Sequence, residues 1–293
     1  MTDDNERALL IPFDDSALVG ILHEAATANL GLVFVPGGDQ YRVGSHRLYV
    51  TLARHLARIG VTCLRFDPPG RGDSVGARRD FSDLLPAINA AAETLKNTCR
   101  LKNTGILGLC DGASAALIAS PGIPSLTHLV LINPWVKTTD IEAHSRVTRY
   151  YPRRLVSRAF WRRLLTGKVS IVDNIRDIAG NLRQLWLTRT TQETRREDAA
   201  QGFLRNMKRS AVTFTGTTLV VLSEKDLVAQ QFSAWSERSG TLGALQKNKS
   251  CTTARISSAD HTFSAPRDIE RLEATLTAWV ESDGCGLKRL HKP

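Results

Sequence analysis

Between residues 104 and 120 a short apolar run meets a Gly-x-Cys-x-Gly turn, formed by Gly108, Cys110 and Gly112, and a run of small residues follows it. A strand that turns at once into a helix and lifts one side chain above a sheet leaves almost no space beside that residue. Glycine is therefore required two positions before it and two after. The spacing predicts a strand, a nucleophile elbow and a helix, with sulfur at the position where such elbows usually carry oxygen.

The flanking sequence sets this unit in a repeating pattern. Residues 8–13 and 17–24 read as two strands around an Asp-Asp-Ser turn, an antiparallel hairpin. Leu30–Val35 is a continuous apolar run, as expected of a strand buried on both faces, and Val61–Phe66 reads as another buried strand. Between them Leu48, Leu52, Leu56 and Ile59 fall at helical spacing, with Ser45 as the expected N-cap and Gly60 as the stop. A helix over about 83–96, the elbow strand, and a strand over Leu126–Ile132 that ends at Asn133-Pro134-Trp135 continue the alternation. Further on come a strand over Thr218–Leu222, a helix over 229–238, a strand over 253–256 and a closing helix over 266–280. Apolar strands alternating with amphipathic helices predict an α/β fold with a mostly parallel, doubly wound sheet.

Residues 136–210 break the rhythm. They hold no strand-like run, and Tyr150, Tyr151, Phe160, Trp161, Leu164, Leu165 and Trp186 recur at roughly helical intervals among many arginines. We read 1–135 and 211–293 as the core and 136–210 as an inserted helical cap. Residues 136–209 carry 17 Lys or Arg against seven Asp or Glu, so this segment accounts for the whole formal charge of +10. The basic cap is a candidate surface for an anionic ligand or a membrane. No recognition motif accompanies the charge, and nucleic acid is not an expected partner.

At 293 residues and 42% apolar, the chain is long enough for a sizeable core. It has no apolar run long enough to span a bilayer, and its acidic, polar start is unlike a secretory signal. A cytoplasmic protein, peripheral to the inner membrane at most, is expected. The five cysteines include no Cys-x-x-Cys pair, which argues against a disulfide framework or a zinc site. The Gly70-Arg-Gly-Asp-Ser74 loop lacks the order of a dinucleotide fingerprint, and no phosphate loop occurs. No cofactor or metal is expected.

Acyl transfer requires a nucleophile, a base, a group that orients the base, and donors for the oxyanion. Cys110 would sit at a helix N-terminus, where free amides favour a thiolate. Ser114, the rival, would lie one turn into the helix. His261 lies in the loop 257–263 after the last strand, whereas His23, His46, His55, His128 and His144 fall on expected strands, helices or the cap. Asp226, after the strand 219–222, is the expected orienter; Glu224 is two residues away, and Asp260, adjacent to the histidine, is expected to brace the loop. The amides of Gly38, in the Pro36-Gly37-Gly38 turn, and of Asp111 would form the oxyanion site.

With these residues in chain order nucleophile, acid, histidine, the sequence resembles the α/β-hydrolase superfamily from about Ala8 to Val280, and the Asp67-x-x-Gly-x-Gly-x-Ser74 loop is similar to that superfamily's motif. More narrowly, the segment from Pro36 to Arg47 together with Gly-Leu-Cys-Asp-Gly-Ala-Ser114 resembles the exosortase A system-associated hydrolases. The resemblance implies Cys110, Asp226 and His261 as the catalytic residues, Gly38 and Asp111 at the oxyanion site, and a place beside bacterial exopolysaccharide production. Asp39 departs from the pattern: a carboxylate pointing into the site would repel an oxyanion. The expected activity is hydrolysis of an ester or thioester, on a small-molecule, lipid or glycan acyl substrate. The alternatives are an acyltransferase with the same residues, or a non-catalytic module that binds an anionic partner through the cap.

Overall fold

The computed structural model describes residues 5–136, 201–247 and 251–282. Eight strands form one sheet: β1 (Glu6–Phe13), β2 (Ser16–His23), β3 (Leu30–Val35), β4 (Val61–Phe66), β5 (Asn103–Leu109), β6 (Leu126–Ile132), β7 (Thr217–Ser223) and β8 (Cys251–Ile256). Their spatial order is β1-β2-β4-β3-β5-β6-β7-β8. The expected hairpin is present: β1 pairs antiparallel with β2, and β2 antiparallel with β4. Every other pairing is parallel.

The helices are α1 (Leu48–Arg58), α2 (Leu85–Cys99), α3 (Asp111–Ala119), α4 (Leu227–Ser239), α5 (Thr241–Lys247) and α6 (Pro266–Ser282). Strands β3 and β4 are buried along their whole length; β3 is continuously apolar, while β4 also buries Thr62 and Arg65, whose Nε donates to His23. One core cluster joins Leu32, Phe34 and Cys63 of the sheet to Leu48, Leu52 and Leu56 of α1 and to Leu272, Leu276 and Trp279 of α6. Parallel strands place all their carboxyl ends on one edge, so the elbow, the loop after β3 and the loops after β7 and β8 converge there.

Two local expectations are corrected. Ser45 does not cap α1; residues 45–47 form a 3-10 turn, and Arg47 takes the cap position at φ 61° with no side-chain hydrogen bond. Buried Leu48 and Tyr49 anchor this entry instead. Helix α5 was not expected; the left-handed Gly240 between α4 and α5 separates two helices that periodicity alone leaves as helix and loop.

The chain divides into two units, Met1–Val136 with Asn206–Pro293, and Lys137–Arg205. The cap expected over 136–210 falls almost wholly outside the described residues, as does His144; residues 201–213 are helical. Among the described residues no helix is long and apolar enough to cross a membrane.

Candidate active site

Strand β5 ends at Leu109 and α3 begins at Asp111, so a single residue makes the turn. Cys110 adopts φ 60° and ψ −127°, a conformation that L-residues hold only when surrounding bonds enforce it. Here its amide donates to Ile132 O at 3.0 Å, and its carbonyl accepts from Ala113 N and Trp135 N, both at 3.1 Å. The flanking glycines are obligatory. A Cβ on Gly108 would lie 2.4 Å from Gly112 O, and one on Gly112 would lie 2.4 Å from Val35 O. Cys110 is a free, partly exposed thiol, whereas Ser114 is fully buried and donates its Oγ to Trp135 O at 2.6 Å. That hydroxyl serves the backbone and has no access to solvent.

Asp226 is the N-cap of α4, its carboxylate accepting from Val228 N at 3.0 Å and Ala229 N at 3.3 Å. The same carboxylate accepts from His261 Nδ1 at 2.7 Å, and the Cys110 side chain also favours the charged imidazole. Burial opposes the charged imidazole, yet the bond to Asp226 and the influence of the Cys110 and Asp226 charges outweigh it and raise His261 to about 10. Asp260 turns away from the imidazole, bracing its loop by accepting from Thr262 N, Ser264 N and the Ser264 hydroxyl, and the Ser264 bond above all holds its carboxyl low. Glu224 is exposed and joins α4 only through its carbonyl, which accepts from Gln230 Nε2 at 2.8 Å.

The other histidines are held elsewhere. His23 accepts from Arg65 Nε at 2.8 Å, His55 bonds Thr277 Oγ1, and His128 bonds Thr127 and stacks edge-on to Trp279. His46 lies in the 3-10 turn before α1.

The Gly38 amide donates to Asp111 Oδ1 at 2.5 Å, so in this state a side chain occupies it. Burial pushes the Asp111 carboxyl up, while the Gly38 and Gly112 amides and Arg71 pull against that rise. Asp39 is exposed and pairs with Arg78, so its charge is met by a guanidinium. A cavity of about 370 Å³ opens beside these groups, lined by Gly38, Asp39, Arg71, Arg78, Phe81 and Asp111 among others.

One residue that sequence reasoning treated only as a strand terminator positions the site. Asn133 stands at φ 45°, fully buried, where it accepts from Ser223 N at 2.8 Å and donates to Ser223 Oγ at 2.9 Å and to His261 O at 3.2 Å. It ties the ends of β6 and β7 to the histidine loop. The signal was its residue type, since asparagine tolerates a left-handed backbone. Asn133→Ala is expected to cost about 1–3 kcal/mol of unfolding free energy in urea and to speed amide exchange in the histidine loop, the two effects appearing together.

Among the described residues no group of three or more His, Cys, Asp or Glu side chains is placed to hold a metal ion. The fold and this strand-end site define a hydrolase of the α/β class. The alpha/beta hydrolase family model matches residues 32–274, and the chain belongs to that family. Solved structures agree on the fold. The Pyrococcus furiosus esterase Pf2001 superposes with a TM-score of 0.63 at 13% identity, over 94% of this chain and 92% of that one. Dienelactone hydrolase from Anabaena variabilis gives 0.58 at 18% identity, over 94% and 97% of the two chains. The Xanthomonas campestris protein XC6422, an α/β serine hydrolase without lid, gives 0.55 at 15% identity, over 95% of each chain. The search of curated proteins finds no match.

Proposed function

We propose that the protein hydrolyses an ester or thioester through an acyl-Cys110 intermediate, with His261 as proton carrier and Asp226 as its orienter. The observation that carries this reading is the 2.7 Å hydrogen bond between His261 Nδ1 and the Asp226 carboxylate, on an imidazole whose hold on its proton the Cys110 side chain at the strand end strengthens. The Cys110 thiolate attacks the carbonyl carbon, and the carbonyl electron pair moves onto oxygen, facing the amides of Gly38 and Asp111. Collapse expels the alcohol or thiol, which takes the proton from His261. His261 then accepts a proton from water as that water attacks the thioester, releasing the acid and restoring the thiolate. A thiolate is a better leaving group than an amine, so amides are poor substrates. An acyltransferase would differ only in the acceptor that resolves the intermediate. The resemblance to the exosortase A system-associated hydrolases favours an acyl substrate from exopolysaccharide production, handled at or near the inner membrane.

The imidazolium is the acid this cycle needs, and its titration gives the test. A histidine in an unfolded chain titrates near 6.5, and in this site near 10. The contribution of the His261 interactions to stability is therefore complete below about 6.5 and is lost as pH rises towards about 10. Turnover of an activated ester such as p-nitrophenyl butyrate is expected to persist into alkaline solution and to fall near pH 10. Asp226→Asn removes a group that raises His261, so its alkaline limb moves to lower pH. Absence of turnover at any pH across a panel of activated esters and thioesters, or an unmoved limb in Asp226→Asn, overturns the reading.

A further inference from the structure

The amide that an ester oxygen needs is already engaged. Gly38 N donates to Asp111 Oδ1 at 2.5 Å, and the approach depends on Gly37, where a Cβ would lie 2.7 Å from that same oxygen and 2.3 Å from Leu109 O. A carboxylate on this amide excludes the developing oxyanion both by volume and by charge.

A second observation lies in the same cavity. Arg71 lines it beside Gly38 and Asp111, and the Arg71 Nε is sealed from solvent with no hydrogen-bond partner. Neighbouring cations are taken, Arg78 by Asp39 and Arg79 by Asp14 at 2.7 Å. Among the described residues the Arg71 Nε has no hydrogen-bond partner, although the guanidinium charge reaches the Asp111 carboxyl and favours the ionised form. A buried donor left unsatisfied is costly, and a guanidinium matches a carboxylate in shape and charge. The cavity thus offers two seats for one negative charge: the Gly38 amide, now occupied, and Arg71, whose Nε has no partner.

Building on the acyl-cysteine reading, we propose that Asp111 gates the oxyanion site, its carboxylate resting on the Gly38 amide and moving to Arg71 when a substrate's carbonyl oxygen takes that amide. No bond is made or broken in this step; one hydrogen bond is exchanged for an ion pair. Binding contacts elsewhere on the substrate drive the exchange, so esters with few such contacts leave the gate shut.

The test is a double-mutant cycle on p-nitrophenyl butyrate with the full chain. Asp111→Ala is expected to raise kcat/KM about tenfold, and Asp111→Asn, which keeps an acceptor without the charge, to raise it less. Arg71→Met is expected to lower kcat/KM about tenfold in the wild-type background and less than twofold in Asp111→Ala, because an absent gate needs no second seat. Equal Arg71→Met effects in the two backgrounds, or a fall in Asp111→Ala and Asp111→Asn alike, overturn the gate while leaving the hydrolase reading intact. If no variant turns over any ester, the hydrolase reading fails and the Gly38 amide decides the rest. Its proton resonance, downfield in the wild type through the charged bond, moves upfield in Asp111→Ala if the carboxylate rests there, and an unmoved resonance overturns the proposal by itself.

Discussion

Cys110→Ala is expected to lower kcat/KM for activated esters by about 10⁴-fold, because removing the nucleophile of a cooperating set costs nearly as much as removing the set. Intact-mass measurement during turnover should show an acyl adduct on the wild-type chain, mapped to Cys110, and none on the variant. The sulfur is free and partly exposed, and it is held at φ 60° by bonds to β6 and α3, so alanine can occupy the same backbone without strain beyond that already present. The loss would then be chemical, with the melting temperature close to that of the wild type. Cys110→Ser separates the roles further. A hydroxyl is far less ionised than a thiol, so serine should restore only a small part of the rate. Equal turnover in wild type and Cys110→Ala would remove Cys110 from the chemistry altogether.

The largest structural effect is expected at Gly112. A methyl there would meet Val35 O at 2.4 Å and the Pro36 carbonyl carbon at 2.9 Å, backbone atoms at the end of β3 and the start of the loop that carries Gly38. Neither can rotate away, so the elbow and that loop must separate. Gly112→Ala should cost about 3 kcal/mol of stability, which for a chain of this size is a fall in melting temperature of about 6–12 °C. Gly243→Ala supplies the contrast. Gly243 lies in α5 with nothing within 4 Å of its would-be Cβ, and alanine should be neutral or stabilising there, by about 0.5–1 kcal/mol. A thermal melt in which the two variants behave alike would contradict the steric account of the elbow.

Much of the architecture was legible because it is written in local periodicity. Strands β3, β4 and β6 match the expected ranges at both ends, since each is a mostly apolar, largely buried segment bounded by turn residues. The start of α1 was misread because Ser45 has the chemistry of a cap, while burial of Leu48 and Tyr49 chose a different entry. Helix α5 is unread for a different reason: seven residues carry too short a pattern.

For the site, Cys110 and its two glycines could be found from spacing, as their constraint acts within five residues. Choosing among Asp226, Glu224 and Asp260 rested on chain order and loop position; the hydrogen bond from His261 to Asp226 spans 35 positions. Nothing local marked Asn133 as the tie between β7 and the His261 loop, 128 positions away, or Asp111 as the acceptor of an amide 73 positions earlier.

By itself, then, the amino-acid order determined the alternating α/β pattern, the elbow with sulfur at its apex and the concentration of positive charge between residues 136 and 209, because sterics, periodicity and charge are properties of neighbouring residues. Only the tertiary structure decided the strand order, which carboxylate meets His261, what Asp39 pairs with and what the Gly38 amide holds. Those are questions of which distant groups come within about 3 Å of one another, and the parallel sheet answers them by gathering its loops along a single edge.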